Sequence, residues 1–436
     1  MAQSLPATHE SRNVTSCEWL AFSEGTSAYR VPNGVNVAPR RTDSGKVGRT
    51  VKITRVEAIP LGIPFKKPML MAGRKFSFSE TVLVRLETAG RFAGYGEAPV
   101  APFLTGETVP SILAAVAVLS DAIVGRDARD LSALSMVIHR AIVGNAAAKA
   151  AVDVALYDAV ARDYGLPLYQ LLGGRTQSEF GCLTLVGNSN KSRDLSDVVA
   201  LKADGFMAFK LKVANGDLAE EAATLIEMRD ILGPRALVCA DANGGWTAAE
   251  AVRFVKLTES ASPDFLEQPV AADNIDAMVR VADASSVPIG ADESIHDVTD
   301  IRRLIESGAA SGGAFKIMKL EGITRCLAAI HLCRALGGDV NLSGKFGESS
   351  VANAATLSVA TAVGSVTWGL SVTNNYLVDD IVREPIVVRN GRIHPIEKPG
   401  LGVEIDEAKV RRYELRSVSE NHSYKIREKV GEQITQ

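Results

Sequence analysis

Lys210-Leu211-Lys212 sits inside Ala208-Phe209-Lys210-Leu211-Lys212-Val213, a run that otherwise reads as a buried strand. Alternate strand residues share a face, so both ammonium groups point the same way. Burying two like charges is costly unless anions compensate. Crowding and desolvation both lower a lysine pKa toward the range of a general base. The plainer alternative is a lysine that snorkels to solvent. Carboxylates further along decide between the two. Asp241, with Asn243 behind it, ends one apolar run. Glu267 ends the next, in Phe-Leu-Glu-Gln-Pro, and Asp292-Glu293 ends a third. Lys316 lies in a fourth run, with Lys319 just beyond it. Three hard oxygen donors gathered at one place suit Mg²⁺ or Mn²⁺. Any one of them alone could equally cap a following helix.

These residue types fit removal of a proton α to a carboxylate. Such a carbon acid is very weak, and its dianionic conjugate base needs a divalent metal and ammonium groups in a water-poor site. Lysines on opposite walls can act on opposite faces of the planar intermediate. Lys212 and Lys316 are the expected acid/base pair. Lys210 is expected to lower the pKa of Lys212 and to help hold the substrate carboxylate. Lys319 reads as a solvated residue at the start of the next helix.

The elements that would position these groups follow from periodicity. Val51–Pro60, Ser79–Leu86 and Phe92–Glu97 read as a small antiparallel meander, with Pro64–Phe78 as a basic loop between its first two strands. Thr105 to Pro110 leads into a periodic helix, and Asn145–Tyr164 is a second, alanine-rich one. From Phe180 onward, strand and helix alternate. The expected strands are Phe180–Val186, Ala208–Val213, Leu237–Ala240, Asp264–Leu266, Val287–Ala291, Ala314–Ile317, Asp339–Leu342 and Val366–Leu370. That alternation points to a TIM-type α/β barrel, whose site lies at the C-terminal strand ends. The runner-up is a doubly wound open sheet, but no GxGxxG follows the first strand.

Composition removes other classes. The chain has 436 residues, 46% of them hydrophobic, enough for a large core and a second smaller one. A formal charge of −3 gives no case for a nucleic-acid partner. The longest apolar run, Ile112–Val124, is interrupted by Ser120 and Asp121 and is too short to span a bilayer. Five cysteines without a CxxC motif fit a reducing, cytoplasmic setting. HExxH, EF-hand, P-loop and GxSxG patterns are absent, and the six histidines are scattered. The first fifty residues lack a signal-peptide apolar region and read as a flexible extension.

Together the motifs resemble the enolase superfamily, in its muconate lactonizing enzyme subgroup. They are Gly94-Tyr-Gly-Glu-Ala98, Asn145–Gly174 ending in Pro-Leu-Tyr-Gln-Leu-Leu-Gly-Gly, Lys210-x-Lys212, Asp241-Ala-Asn243, Glu267-Gln-Pro269, Asp292-Glu-Ser294, Lys316-Ile-Met-Lys319 and Pro399-Gly-Leu-Gly-Val403. The resemblance implies an α+β capping domain over a modified TIM barrel, (β/α)₇β. The expected boundaries are a flexible extension over 1–50, the cap over 51–175, the barrel over 176–378, a return to the cap over 379–415 and a polar tail over 416–436. It implies Mg²⁺ on Asp241, Glu267 and Asp292, Lys212 and Lys316 as acid/base pair, a small carboxylate substrate and a homo-oligomer.

Departures from the subgroup bear on the substrate. The region after the last strand reads Trp368-Gly-Leu-Ser-Val-Thr-Asn-Asn-Tyr376. It lacks the Asp-x-Asp that dipeptide epimerases use to grip an ammonium. It also lacks the Glu of muconate cycloisomerases, whose place falls to Leu370 or Ser371. Asn243, Arg74, Lys345 and Ser371 are the candidates for substrate contact. Arg74 with Lys75 can also be read as a solvated loop, and Lys345 as a surface lysine. The expected reaction is racemisation or epimerisation of an amino-acid derivative or related small acid. Cycloisomerisation of a muconate-like diacid and syn elimination from a hydroxy acid use the same first intermediate and stay open as alternatives. A non-catalytic paralogue is the remote alternative.

Overall fold

The computed structural model describes residues 50–71, 74–187 and 190–415. The extension expected over 1–50, apart from Thr50, and the tail over 416–436 lie outside the described residues.

Ile53–Met71, Arg74–Thr88 and Gly94–Pro99 form an antiparallel meander in that order. The stretch expected as a loop, Pro64–Phe78, instead continues the hairpin. Pro64 pairs with Phe78 and Met69 with Phe76 across a register shift. Its basic residues and prolines suggest a loop, but Phe65 and Phe76 are buried and anchor it. Phe65 lies 4.9 Å, ring to ring, from Phe346.

Helices Val109–Ile123, Leu131–Ala141 and Ala146–Tyr164 cover the meander. Thr108 and Ser111 close a capping box at the first, with Pro110 in its opening turn. The third is buried from Ala147 to Ala161. Its alanines let the meander approach closely. A Cβ on Gly94 or Gly96 would collide with the carbonyl oxygens of Ala155 and Ala151. This explains both glycines of Gly94-Tyr-Gly96.

The second sheet has seven parallel strands: Leu183–Val186, Ala208–Lys212, Leu237–Asp241, Phe265–Glu267, Ile289–Ala291, Gly312–Phe315 and Asp339–Leu342. Their spatial order follows chain order without a crossover. That sequential order excludes the doubly wound alternative, which needs a switch point. Alternation sorts the side chains. Phe209, Leu211, Val238 and Leu266 join the large core under the outer helices. Leu183, Ala208, Cys239, Phe265 and Trp368 form a separate inner cluster. Trp368 stacks on Phe265 at 4.3 Å and 9°. A Cβ on Gly290 would come within 2.9 Å of the Trp368 ring. This layer fills the barrel interior beneath the strand ends.

The eighth strand expected over Val366–Leu370 is reduced to bridges from Leu370 to Cys182 and to Leu342. Leu183 N–H donates to Leu370 O at 2.8 Å, and Ser371 N–H to Leu342 O at 2.9 Å, which joins the last strand to the first. Gly369, at φ +89°, turns the chain out of extended geometry at this point. Residues 379–415 then run back along the meander and its helices. Leu401 N–H donates to Asp158 Oδ1 at 2.7 Å, and Arg162 donates to Val403 O at 2.8 Å. Among the described residues no helix is long and apolar enough to cross a membrane.

Candidate active site

Strand register brings the sequence's charged residues together. Lys212 pairs with Asp241 across the second and third barrel strands, and Asp241 with Glu267 across the third and fourth. Glu267 pairs with Gly290, which puts Asp292 one inward position further on. Lys316 directly follows the sixth strand. All of these are buried or nearly so: Asp241 is 1% exposed, Glu267 2%, Asp292 1%, Lys210 4% and Lys212 9%.

The charges pair across the strand ends. Lys212 Nζ lies 2.5 Å from Asp241 Oδ2, and Lys210 pairs with Glu267. Lys316 Nζ lies 2.5 Å from Asp292 Oδ2, and Lys319 Nζ 2.6 Å from Asp292 Oδ1. Lys319 also donates to the Asp292 carbonyl and is fully buried. It is therefore not the solvated neighbour expected from the sequence. The turn Lys316–Leu320 folds it back under the site, with Lys319 N–H on Lys316 O at 3.0 Å.

Electrostatics follow from this packing. Burial would raise Asp241 and Asp292, but the adjacent lysines outweigh it and hold both carboxyls below the usual range. Burial raises Glu267, and the charges of Asp241 and Asp292 add to that rise. Glu267 feels Lys210 on one flank and Lys316 on the other. Burial acts to lower Lys210, yet Glu267 and Asp241 outweigh it and hold Lys210 above its ordinary value. The depression expected of paired lysines is thus reversed at Lys210 by the intervening carboxylates. Lys319 is lowered, chiefly by burial.

Asp241, Glu267 and Asp292 suit a hard divalent cation in donor type and register. Their mutual repulsion, felt at Asp241 and at Glu267, is the charge pattern such an ion relieves. As the side chains stand, no three acidic, histidine or cysteine groups among the described residues enclose an ion. Each of the three carboxylates is turned onto an ammonium instead.

The substrate-contact candidates separate. Asn243 joins the cluster through its side chain, since its Oδ1 accepts from Lys212 Nζ at 2.8 Å. Lys345 is buried rather than on the surface. Its Nζ lies 3.3 Å from Ser79 Oγ, among Glu348, Glu97 and Glu80, and burial pushes it down to about 8. The Ser371 hydroxyl donates to Leu183 O at 2.9 Å and serves the barrel seam. Arg74 opens the second meander strand, and its side chain lies outside the described residues. Glu97 and Glu293 are among the acids that had no role in the sequence reading. Glu97 accepts from Ser349 N, Ser349 Oγ, Ala352 N and Thr81 Oγ, and so ties the meander to the start of barrel helix Ser350–Val363. Glu293 accepts from Asn243 Nδ2 at 2.9 Å. The adjacent pair Asp292-Glu293 was the available signal for it.

Residues 53–173 match the mandelate racemase / muconate lactonizing enzyme N-terminal domain, and residues 194–409 the enolase C-terminal domain-like family. The chain is 31% identical to an L-Ala-D/L-Glu epimerase of Bacillus subtilis, over 81% of this chain and 97% of that one. The chain belongs to the enolase superfamily, in its muconate lactonizing enzyme subgroup. Other members of the superfamily match over similar lengths. A chloromuconate cycloisomerase of Cupriavidus pinatubonensis is 30% identical, over 80% of this chain and 95% of that one. An N-succinyl-L-Arg/Lys racemase of Bacillus cereus is 28% identical, over 82% and 96%. The crystal structure of muconate lactonizing enzyme from Pseudomonas fluorescens, complexed with muconolactone, superposes with a TM-score of 0.81 at 28% identity, covering 84% of this chain and all of that one. These superfamily relatives are isomerases, and the protein is an isomerase of the same superfamily.

Proposed function

We propose that this enolase-superfamily protein is a two-lysine racemase or epimerase of an amino-acid derivative or related small carboxylic acid. The observation that carries the reading is the flanking of three buried carboxylates by lysine on both sides. Lys210 and Lys212 stand on one side and Lys316 on the other. A 1,1-proton transfer needs a base on each face of the α-carbon, and we assign those roles to Lys212 and Lys316. One takes the proton as a free amine, and the other returns one as an ammonium. Lys210 stays charged beside Glu267 and offers its ammonium to the substrate carboxylate. Asp241, Glu267 and Asp292 would hold Mg²⁺, which supplies positive charge against the charge that develops on that carboxylate. The filled inner cluster below the strand ends keeps water out from beneath.

The strand seam bears on the substrate. Leu370, Ser371 and Val372 present no acid there, and the Ser371 hydroxyl is already engaged. A free substrate ammonium therefore has no counter-charge at this position. An amino acid whose nitrogen is acylated fits better than an unblocked dipeptide. Cycloisomerisation is the second reading, favoured by the likeness to the muconolactone complex. It would pass through the same kind of enolate, formed there by addition of a carboxylate oxygen to the diene and then protonated at the α-carbon by a lysine.

The test is α-proton exchange in D₂O with Mg²⁺, read by proton NMR. The panel is both enantiomers of N-succinylarginine and N-succinyllysine, with Ala-Glu and cis,cis-muconate as comparisons. Exchange of both enantiomers of an N-acylamino acid is expected. Undiminished exchange of both enantiomers in Lys212→Ala would remove that lysine from the mechanism.

A further inference from the structure

We propose that Glu293 is a positioning residue for Lys212: it orients the Asn243 carboxamide, and that carboxamide orients the lysine amine. The inference rests on the two-lysine reading of the site. Lys212 Nζ has two hydrogen-bond acceptors, Asp241 Oδ2 at 2.5 Å and Asn243 Oδ1 at 2.8 Å. A neutral amine carries two hydrogens and one lone pair. With both hydrogens engaged, rotation about Cε–Nζ is stopped, and the lone pair is left in the one remaining tetrahedral direction. An ammonium in the same place aims its third hydrogen along that direction. The two contacts thus define where the proton arrives and where it departs.

This works only while the oxygen of Asn243, not its NH₂, faces the lysine. The two ends of a carboxamide are nearly the same size, so hydrogen-bond partners decide its orientation. Here Asn243 Nδ2 donates to Glu293 Oε1 at 2.9 Å, with Asp241 Oδ2 a longer contact at 3.4 Å. A flipped amide would set oxygen against carboxylate and NH₂ against amine. The backbone of Asn243 is already fixed. It sits at φ +45°, and its N–H donates to Asp241 Oδ1 at 2.9 Å. The amide plane is what remains to be set, and Glu293 sets it.

The surroundings of Glu293 fit this role better than a role in packing. Its Oε2 is closed off from water and has no partner among the described residues. Among the described residues its carboxylate accepts a side-chain hydrogen bond from Asn243 alone; it stands beside the like charges of Asp292 and Asp241, with the Lys316 ammonium as the favourable charge nearby. Glu97, which does serve the fold, has both oxygens engaged by the meander and the barrel helix. A buried acid kept next to other acids for one contact points to that contact as its use.

Glu293→Ala and Glu293→Gln test this. Glutamine keeps an oxygen that can accept from Asn243 Nδ2, whereas alanine does not. Wild type and both variants are given each enantiomer of N-succinylarginine in D₂O with Mg²⁺, and each enantiomer of any other panel acid that the wild type exchanges. A misplaced base loses on the order of 100-fold in rate. The expected result is a loss of that size in Glu293→Ala for the enantiomer that depends on Lys212. The enantiomer that depends on Lys316 should change by less than about threefold, and Glu293→Gln should recover most of the loss. Equal losses for both enantiomers, or none, overturn the proposal. A crystal structure of Glu293→Ala gives a readout that needs no substrate. Asn243 turned, or Lys212 Nζ drawn off Asn243 Oδ1, supports the proposal, and unchanged geometry overturns it. If the wild type exchanges no panel acid, it is the two-lysine reading that fails, and the crystal structure alone then decides the role of Glu293.

Discussion

Asp153→Asn should change how stability depends on pH, by an amount the structure sets. Asp153 lies in helix Ala146–Tyr164 and is fully buried. Its Oδ2 accepts from Ile323 N at 2.7 Å, at the start of barrel helix Ile323–Ala335, while its Oδ1 has no partner at hydrogen-bond distance. Burial pushes this carboxyl up to about 7 from 3.8, against a smaller pull from the Ile323 and Thr324 amides. The folded pKa is raised, so the folded chain holds a proton that the unfolded chain gives up. The penalty is absent below the unfolded pKa, grows between about pH 4 and 7, and then levels off. It amounts to about 2 kcal/mol at pH 5 and about 4 kcal/mol at pH 8. Asparagine keeps an oxygen for Ile323 N and has no ionisation to suppress. Relative to wild type, the variant should therefore gain about 2–3 kcal/mol between pH 5 and pH 8. Urea denaturation at the two pH values, followed by far-UV circular dichroism and tryptophan fluorescence, measures this difference. Groups elsewhere in the chain cancel in the comparison. A gap that stays constant within about 0.5 kcal/mol, or that narrows toward pH 8, would refute the assignment of a suppressed carboxylate.

Lys316→Ala should abolish α-proton exchange for the enantiomer opposite to the one lost in Lys212→Ala, as read by chiral chromatography with deuterium counting. Glu267→Gln removes one of the three charges expected to hold Mg²⁺, and calorimetric titration should show affinity lower by tenfold or more, about 1.4 kcal/mol. Gly187→Ala should cut turnover while leaving the fold intact by circular dichroism. Gly187 has φ +143°, and an added Cβ would lie 2.7 Å from the Lys212 Cβ, so the lysine must move. Trp368→Ala opens the stacked layer against Phe265, with an expected loss of about 3–5 kcal/mol in urea denaturation.

The gathering of these charged residues at one place was legible because it depends on chain order and on alternation. Lys210, Lys212, Asp241, Glu267, Asp292 and Lys316 each stand at an apolar run's end, and parallel strands carry such ends to one face. What failed was what depends on tertiary partners. Pro64–Phe78 carries loop-like residues, but Phe65 and Phe76 find buried neighbours and the hairpin continues. Val366–Leu370 has strand-like residues, yet a turn at Gly369 leaves bridges in place of a strand. Lys319 reads as solvated and Lys345 as either a substrate contact or a surface lysine, because nothing local shows that Asp292 or Ser79 will meet them. Ser371 follows the last expected strand, and only closure of the barrel shows its hydroxyl meeting the first strand. Glu293 follows a strand end, where alternation no longer tells which way a side chain turns.

Glu97 has a consequence for how a substrate could enter. It reaches from the meander to the first turn of helix Ser350–Val363, while Asp153 does the same for Ile323–Ala335. Swinging the meander and its helices away as a rigid lid would leave two helix starts uncapped and two carboxylates stripped of their donors. Each such loss costs about 1–3 kcal/mol. The bulk of the cap is therefore expected to stay seated throughout turnover.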